Sequence, residues 1–394
     1  MIRFEKFFFV IFAIVFLCVS ASGSVCAEGI KVGVILPLTG KLSEYGEMER
    51  TSFLMARDEI NAAGGINGEK LDLVIEDTSG KKEKGLSALE KLISKEKAVI
   101  IGGGLSSTVT WAAAAVAQKN RVPFLVNTAS ADKITEKGWN FVFRLCPTIS
   151  EHRRTLDSFL KRAVRVNKAA IIHEKSHFGE YWSKKYGGHC ERSGIRVGIR
   201  EVYEPGAVDF STLLFKVESS VPDIVFLSSH VMDAALLMQQ AKGTGLYRVL
   251  FLGNPAGFAR PSFRETAGNF SEYVCSPVIW SPTVPYQGAM KYYNRFMKRY
   301  GTIPDYHGAQ AYACMYVIAD ALKRSKSLTP SDVRDALGQT NLMTVFGPVK
   351  FVSYGKKELQ NRLPTYLVQW IKGRLETVWP KRVASAQYIY PAAK

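Results

Sequence analysis

The chain has 394 residues, 47% of them hydrophobic and 22% charged, with a formal net charge of +17. That length exceeds what one hydrophobic core usually serves, so two domains are expected, and the ordinary apolar fraction without low-complexity or repeated segments excludes a disordered or fibrous chain. The basic balance suits anionic ligands or surfaces, but the bases are scattered through stretches such as KKEKG and KRAVRVNK with no interleaved aromatics. This pattern fits a solvated basic surface and argues against nucleic-acid binding.

Residues 1–27 read as a targeting segment. Arg3 and Lys6 precede an apolar run from Phe7 to Val19, and small residues lead to Val25-Cys26-Ala27. The run is too short for a comfortable membrane span, and cleavage is expected just before Glu28. Leu17 before Cys18 and Val25 before Cys26 lack the small residue that lipidation requires. No later stretch approaches the ~20 apolar residues of a spanning helix, so the mature chain is expected to be exported and soluble.

Beyond this segment, apolar runs of strand length alternate with amphipathic runs of helical length, the signature of parallel sheets with crossover helices. Strands are expected at Lys31–Leu36, Leu71–Glu76, Ala98–Gly102, Pro123–Asn127 and Phe141–Pro147, with helices at Glu44–Ala62, Gly85–Lys95 and Ser107–Lys119. Ser43 is the expected N-cap of the first helix and Gly64 its stop. A second series follows, with strands Ala169–His173, Val197–Tyr203, Ile224–Leu227 and Val249–Leu252 between helices near Glu151–Val166, Tyr181–Ser193, Thr212–Ser219 and Met232–Lys242. The chain then returns toward the first series through a strand at Val274–Trp280 and helices at Tyr286–Tyr300, Tyr306–Lys323 and Pro330–Leu337. A last crossing near Phe346-Gly347-Pro348 leads to the paired strands Thr365–Ile371 and Leu375–Trp379, and the tail from Lys381 is a strap or loosely ordered.

Three segments carry chemistry. IIGGGLSSTVT joins a strand to a helix through Gly102, Gly103 and Gly104, a turn that exposes amides at the positive end of a helix, where an anion can sit. It lacks the third glycine and the following acid of a dinucleotide site. FLVNTAS is the next strand-to-loop transition and faces the same crevice of a parallel sheet. His173-Glu174-Lys175-Ser176-His177 satisfies the HExxH pattern of zinc proteases, but that chemistry needs both histidines on one helix. Here His173 ends the strand AAIIH and the rest reads as loop, so no metal site and no enzyme are expected. Four cysteines remain after cleavage, Cys146, Cys190, Cys275 and Cys314; export permits two disulfides among them, with three possible pairings.

The opening IKVGVILPLTG, followed by EYG and EINAAGGINGEKLDLVIED, resembles the leucine/isoleucine/valine-binding family of ABC-transporter substrate-binding proteins, and the resemblance runs from Ile30 to about Pro380. It implies the type I periplasmic binding fold: two Rossmann-like α/β lobes with parallel sheets, joined by a three-strand hinge. Lobe 1 is expected to span 28–147 and 277–350, and lobe 2 148–276 and 351–394. A small carboxylate, either a neutral or branched-chain amino acid or a related organic or aromatic acid, would be held in the cleft and delivered to an inner-membrane ABC permease. The chain would act in the periplasm as a monomer, without a cofactor. A ligand-sensing module for a receptor is the alternative reading, and a secreted metalloprotease built on HEKSH the more distant one.

Carried over residue by residue, the resemblance implies that Ser106 binds the ligand carboxylate. The backbone and hydroxyls of Thr128, Ala129 and Ser130 hold carboxylate and amino groups, Tyr45 lines the cleft, and Phe178 stacks on the ligand. His230 stands where the family carries a second-lobe aromatic. In the loop where the family places an acid for the ligand ammonium, this chain has Asn254, Pro255 and Ala256, so an acid from elsewhere (Asp209, Asp233 or Asp305) or a ligand without an amino group is implied. The family's disulfide between the loops after its second and third strands is missing, since those places read Thr78-Ser79-Gly80 and Gly104-Leu105-Ser106.

Overall fold

A computed structural model describes residues 29–40 and 42–389, so the targeting segment at 1–27 lies outside the described residues. In chain order come β1 (Ile30–Leu36), α1 (Ser43–Ala62), β2 (Leu71–Asp77), α2 (Lys82–Ser94), β3 (Ile100–Gly103), α3 (Ser107–Lys119), β4 (Phe124–Val126) and β5 (Val142–Arg144). There follow α4 (Ile149–Arg162), β6 (Lys168–Glu174), α5 (His177–Ser193), β7 (Arg196–Tyr203), α6 (Ser211–Ser219), β8 (Ile224–Ser228), α7 (Val231–Ala241) and β9 (Leu250–Gly253). The remainder comprises α8 (Pro255–Phe258), α9 (Pro261–Ala267), β10 (Cys275–Val278), α10 (Ala289–Tyr300), α11 (Tyr306–Arg324), α12 (Pro330–Gly338), β11 (Asn341–Thr344), β12 (Gly347–Tyr354), β13 (Lys357–Asn361), β14 (Tyr366–Ile371) and β15 (Arg374–Trp379).

These strands form two sheets. The first has the order β11-β12-β13-β5-β4-β3-β1-β2 and the second β15-β14-β10-β9-β8-β6-β7. β1 pairs in parallel with both β2 and β3, and β6 with both β7 and β8. Parallel strands covered by helices on both faces must be apolar throughout, which is why IKVGVIL and IVFLS are buried almost end to end. On one face of the first sheet α1 and α11 contribute Phe53, Ile60, Met315 and Ile318 to the core; on the other α2 and α3 contribute Leu89, Leu92, Ala113 and Ala117. The second sheet is covered by Leu156, Phe159 and Tyr186 on one face and by Leu214, Leu237 and Phe263 on the other. Each fully buried side chain of this size contributes on the order of 1.5–3 kcal/mol.

Several local expectations change. Leu42, not Ser43, occupies the N-cap position of α1, and no side chain caps that end. What fixes the entry of α1 is close approach: a Cβ on Gly46 would lie 2.0 Å from the Pro37 carbonyl oxygen. The lobe boundary expected at 350/351 falls later, because Gly347–Asn361 forms the β12–β13 hairpin at the edge of the first sheet and the chain crosses only between Asn361 and Tyr366. The four described cysteines are free and buried, one each after β5, in α5, in β10 and in α11, so the disulfides that export would permit are not formed. Burial pushes the Cys146 thiol up to about 12. The tail is a strap: the Gln369 amide donates to the Ile389 carbonyl (2.7 Å) and accepts the Ile389 N–H (2.9 Å). Among the described residues no helix is long and apolar enough to cross a membrane.

Candidate functional site

The loops after β3 and β4 build the first wall. Gly103 and Gly104 have φ of +104° and +92°, and a Cβ on Gly103 would sit 2.4 Å from the Ile35 carbonyl oxygen, so only glycine lets this loop turn against β1. The turn places Ser106 at the N-cap of α3, where its side chain makes no capping bond, while the Ser107 hydroxyl accepts the Ala131 N–H at 3.3 Å. In the next loop the Thr128 hydroxyl donates to the Gln310 side-chain carbonyl (3.0 Å) and the Ala129 N–H donates to the Gly104 carbonyl (2.8 Å). The Ser130 carbonyl accepts the Ile149 N–H at 2.9 Å. The fully buried Arg144 holds this loop from below, donating to the Ala131 carbonyl (2.5 Å), the Thr135 hydroxyl (2.7 Å) and the Gln360 side-chain carbonyl (2.5 Å).

A buried polar floor lies beside this wall. Tyr45 packs against His307 with ring centroids 4.8 Å apart, and Tyr306 stacks on His307 at 3.9 Å. Asp305 caps α11 through the His307 N–H (2.9 Å) and lies 3.0 Å from His307 Nδ1. Burial works against charge on both, but their pairing prevails: the imidazole is raised and the carboxyl lowered from their ordinary ranges. Glu49, one turn after Tyr45 on the inward face of α1, is completely buried, with Asn127 donating to its Oε2 at 2.9 Å and no partner on Oε1. Burial pushes its carboxyl up to about 7 against the opposing pull of His307, Asn127 and Thr128. The signal for Glu49 was present in the sequence, as an acid within the inward stripe Tyr45, Glu49, Ser52, Phe53, Ala56.

The second wall begins where β6 ends. His173 and Glu174 close that strand and His177 opens α5, so HEKSH straddles a strand and a helix instead of occupying one helical turn. Phe178 and His230 stack on one another with centroids 4.6 Å apart and planes at 17°. His230 is 63% exposed, with its Nε2 3.7 Å from Oε1 of the buried Glu174, whose Oε2 has no partner. Asn254 is buried; its Oδ1 accepts the Ser229 N–H at 2.9 Å and its Nδ2 has no partner. Asp209 and Asp233 accept the backbone N–H groups of Ser211 and Gly206.

Between the walls lies a cavity of about 280 Å³. The first sheet's side supplies Leu105, Thr128, Ser130, Tyr306 and His307; the crossing segments supply Pro277, Val278, Ile279 and Thr365; the second sheet's side supplies Leu156, Trp182, Lys185, His189 and Pro255. Of the eight residues singled out from sequence, Thr128 and Ser130 line it directly. Ser106 and Asn254 adjoin the lining residues Leu105 and Pro255, Tyr45 packs on the lining His307, and Ala129 is buried between Thr128 and Ser130 with its N–H taken. Phe178 and His230 stand off the cavity as a stacked pair. Sequence reasoning missed the contributions of α4 and α5. No aspartate or glutamate is among the lining residues. Arg260, just before α9, reaches across to Glu44 (3.7 Å) and Asp305 (4.0 Å) on the first sheet's side.

A family model described as periplasmic binding protein matches residues 29–374. The chain is similar to the leucine-, isoleucine-, valine-, threonine- and alanine-binding protein of Pseudomonas aeruginosa, 27% identical over 85% of this chain and 89% of that one. Among solved structures it shares the fold of a branched-chain amino acid transporter substrate-binding protein from Streptococcus pneumoniae in complex with isoleucine, at 23% identity and TM-score 0.69, covering 88% of this chain and 98% of that one. It also shares the fold of a solute-binding protein of an ABC transporter from R. palustris in complex with benzoate, at 20% identity and TM-score 0.66, covering 93% and 99%.

Proposed function

The chain belongs to the periplasmic binding protein family and is related to its leucine/isoleucine/valine-binding members, and from that membership we propose that it captures a small carboxylate between its two sheets and delivers it to an ABC permease of the inner membrane. Family membership sets it among extracytoplasmic solute-binding proteins. Export through a cleaved segment at residues 1–27, action in the periplasm as a monomer, and a role in binding without catalysis complete the proposal. By sheet membership the two lobes would be 28–147 with 279–361, and 148–278 with the residues from 362 onward, in place of the boundaries expected at 276/277 and 350/351.

The observation that carries the reading is the cavity lined from both sheets, in which the Thr128 and Ser130 loop meets the glycine-turned start of α3 and no acidic side chain intrudes. Donors at a helix N-terminus favour an anion. In this reading Ser106, Thr128 and Ser130 form the carboxylate grip, Ala129 fixes the loop between them through its N–H to the Gly104 carbonyl, and Tyr45 backs it through His307. Phe178 and His230 close over the ligand from the second lobe, and Asn254 shapes the loop that presents Pro255. A buried ammonium without an acidic partner is costly, so the lining favours an organic or aromatic acid over its α-amino counterpart. The relatives solved with isoleucine and with benzoate represent both possibilities.

Mass spectrometry of ligand released from the purified protein, followed by calorimetry, tests this. Paired titrations of leucine against 4-methylpentanoate and of phenylalanine against 3-phenylpropanoate are expected to favour the des-amino acid in each pair. Release of a cationic or uncharged solute, with no response to any carboxylate, would overturn the assignment. Tight binding of an amino acid alone would redirect attention to Glu174, whose free oxygen lies beside the Phe178–His230 pair.

A further inference from the structure

The second-sheet wall of the cavity is cationic and aromatic, and the carboxylate grip on the first wall does not account for it. Trp182, Lys185 and His189 lie on one stripe of α5 and all three line the cavity, with Leu156 of α4 beside them. The Lys185 ammonium sits 4.6 Å from the centroid of the Trp182 ring and 5.2 Å from that of Tyr181. It forms no salt bridge with any carboxylate among the described residues. Asp157, the carboxylate in contact with His189, is occupied by Arg192 (2.7 Å) and by His189 Nδ1 (2.5 Å). His189 does not supply a second cation, because burial holds its imidazole down at about 4 despite the neighbouring Asp157. Among the described residues that line the cavity, Lys185 is therefore the one cation without a carboxylate partner, on the second-sheet side opposite Thr128 and Ser130.

We infer that Lys185, seated over Trp182, forms a second anion subsite in this cavity, so that the preferred ligand class is a dicarboxylic acid whose second carboxylate meets Lys185. The inference rests on the carboxylate reading above and narrows it. A cation held against an aromatic face and partly withdrawn from water keeps its attraction for an anion while losing freedom to follow solvent. The same charge would repel a ligand ammonium, in keeping with the absence of acids from the lining. A monocarboxylate would fill the first subsite and leave Lys185 unpaired in the closed cleft.

Calorimetry on the ligand-stripped mature chain with benzoate, terephthalate, butyrate and glutarate tests the subsite. In each pair the dicarboxylate is expected to bind roughly ten- to a hundredfold tighter, the range for one added hydrogen bond between charged groups. In Lys185→Met that ratio is expected to fall to about one, and in Lys185→Arg to survive, with the melting temperature of each variant reporting that the fold persists. If benzoate and butyrate bind and the dicarboxylates bind no tighter, or if the preference survives Lys185→Met, the subsite is refuted while the carboxylate reading stands. If none of the four binds, the subsite is refuted, and the carboxylate reading falls with it when leucine, 4-methylpentanoate, phenylalanine and 3-phenylpropanoate are silent as well.

Discussion

The hydroxyls of Ser106 and Ser107 stand side by side at the start of α3 with different commitments. Ser107 accepts the Ala131 N–H and ties two loops together, whereas the Ser106 side chain makes no capping bond. Ser106→Ala is therefore expected to leave the melting temperature unchanged and to weaken carboxylate binding. A hydrogen bond to a charged group is worth ~1.5–3 kcal/mol, roughly ten- to over a hundredfold in affinity; unchanged affinity in calorimetry would make Ser106 a purely structural residue. Glu49 poses a different question, since its raised carboxyl stays protonated in the fold up to about pH 7 but ionises in the unfolded chain near the ordinary carboxylate value of ~4.3. Stability from this group is thus greatest below the unfolded value, declines as pH rises toward the folded one, and levels off above it. Glu49→Gln is expected to flatten that decline between about pH 4 and 7 and to be the more stable protein at pH 8. Equal slopes of melting temperature against pH for the two proteins would contradict the burial argument.

At the scale of elements, Asp77 at the end of β2 acts in the opposite sense. Its carboxylate accepts the N–H groups of Leu38 (2.8 Å) and Ser79 (2.7 Å) and the Thr39 hydroxyl (2.6 Å), tying the end of β2 to the turn between β1 and α1. Partial burial works against ionisation, yet these bonds hold the carboxyl well below its usual range. Stability from such a group is present above the unfolded carboxylate value and lost as pH falls below it. Asp77→Asn is expected to cost about 1–2 kcal/mol near pH 7, less than its bonds would be worth if fully buried, with the deficit narrowing steadily as pH falls from the unfolded carboxylate value of ~3.9 toward the lower folded one; a deficit of constant size between about pH 5 and pH 2 would assign the effect to packing. The alternation of apolar strands and amphipathic helices made nearly every element of both sheets legible, because central parallel strands such as β1 and β8 are buried on both faces and mark themselves by composition, while the edge strand β7 shows the period-two alternation of a half-exposed strand. The β11–β13 segment was not, since Gly347-Pro348 reads as punctuation, whereas here Pro348 lies near the start of β12 against the short outer strand β11. The site divides the same way. Loops that follow strands were readable, but Trp182, Lys185 and His189 became cavity residues only through how α5 packs against α4 and the second sheet, a long-range outcome that no local pattern encodes.

For the whole molecule, three segments cross between the sheets and a ligand would touch both, so anything else bridging the cleft biases the balance between open and closed forms. Arg260 is such a bridge: it comes from the second sheet's side, is 39% exposed, and lies within 4.0 Å of both Glu44 and Asp305 on the first. Exposed ion pairs are worth only ~0–1 kcal/mol, which corresponds to no more than a few-fold change in a two-state population. Arg260→Ala is therefore expected to enlarge the radius of gyration of the ligand-free protein slightly in small-angle scattering and to weaken ligand binding by less than about fivefold. Screening makes a second reading available, because at ~1 M salt the Debye length contracts to about 3 Å and the unsubstituted protein should approach the variant. Asp305 complicates the comparison, since it also caps α11 and pairs with His307; Glu44→Ala, which leaves that cap intact, should reproduce part of the effect. Identical scattering from the unsubstituted and Arg260→Ala proteins at low salt, with identical ligand affinity, would mean that the rim contact has no bearing on closure and that ligand contacts alone draw the two walls together.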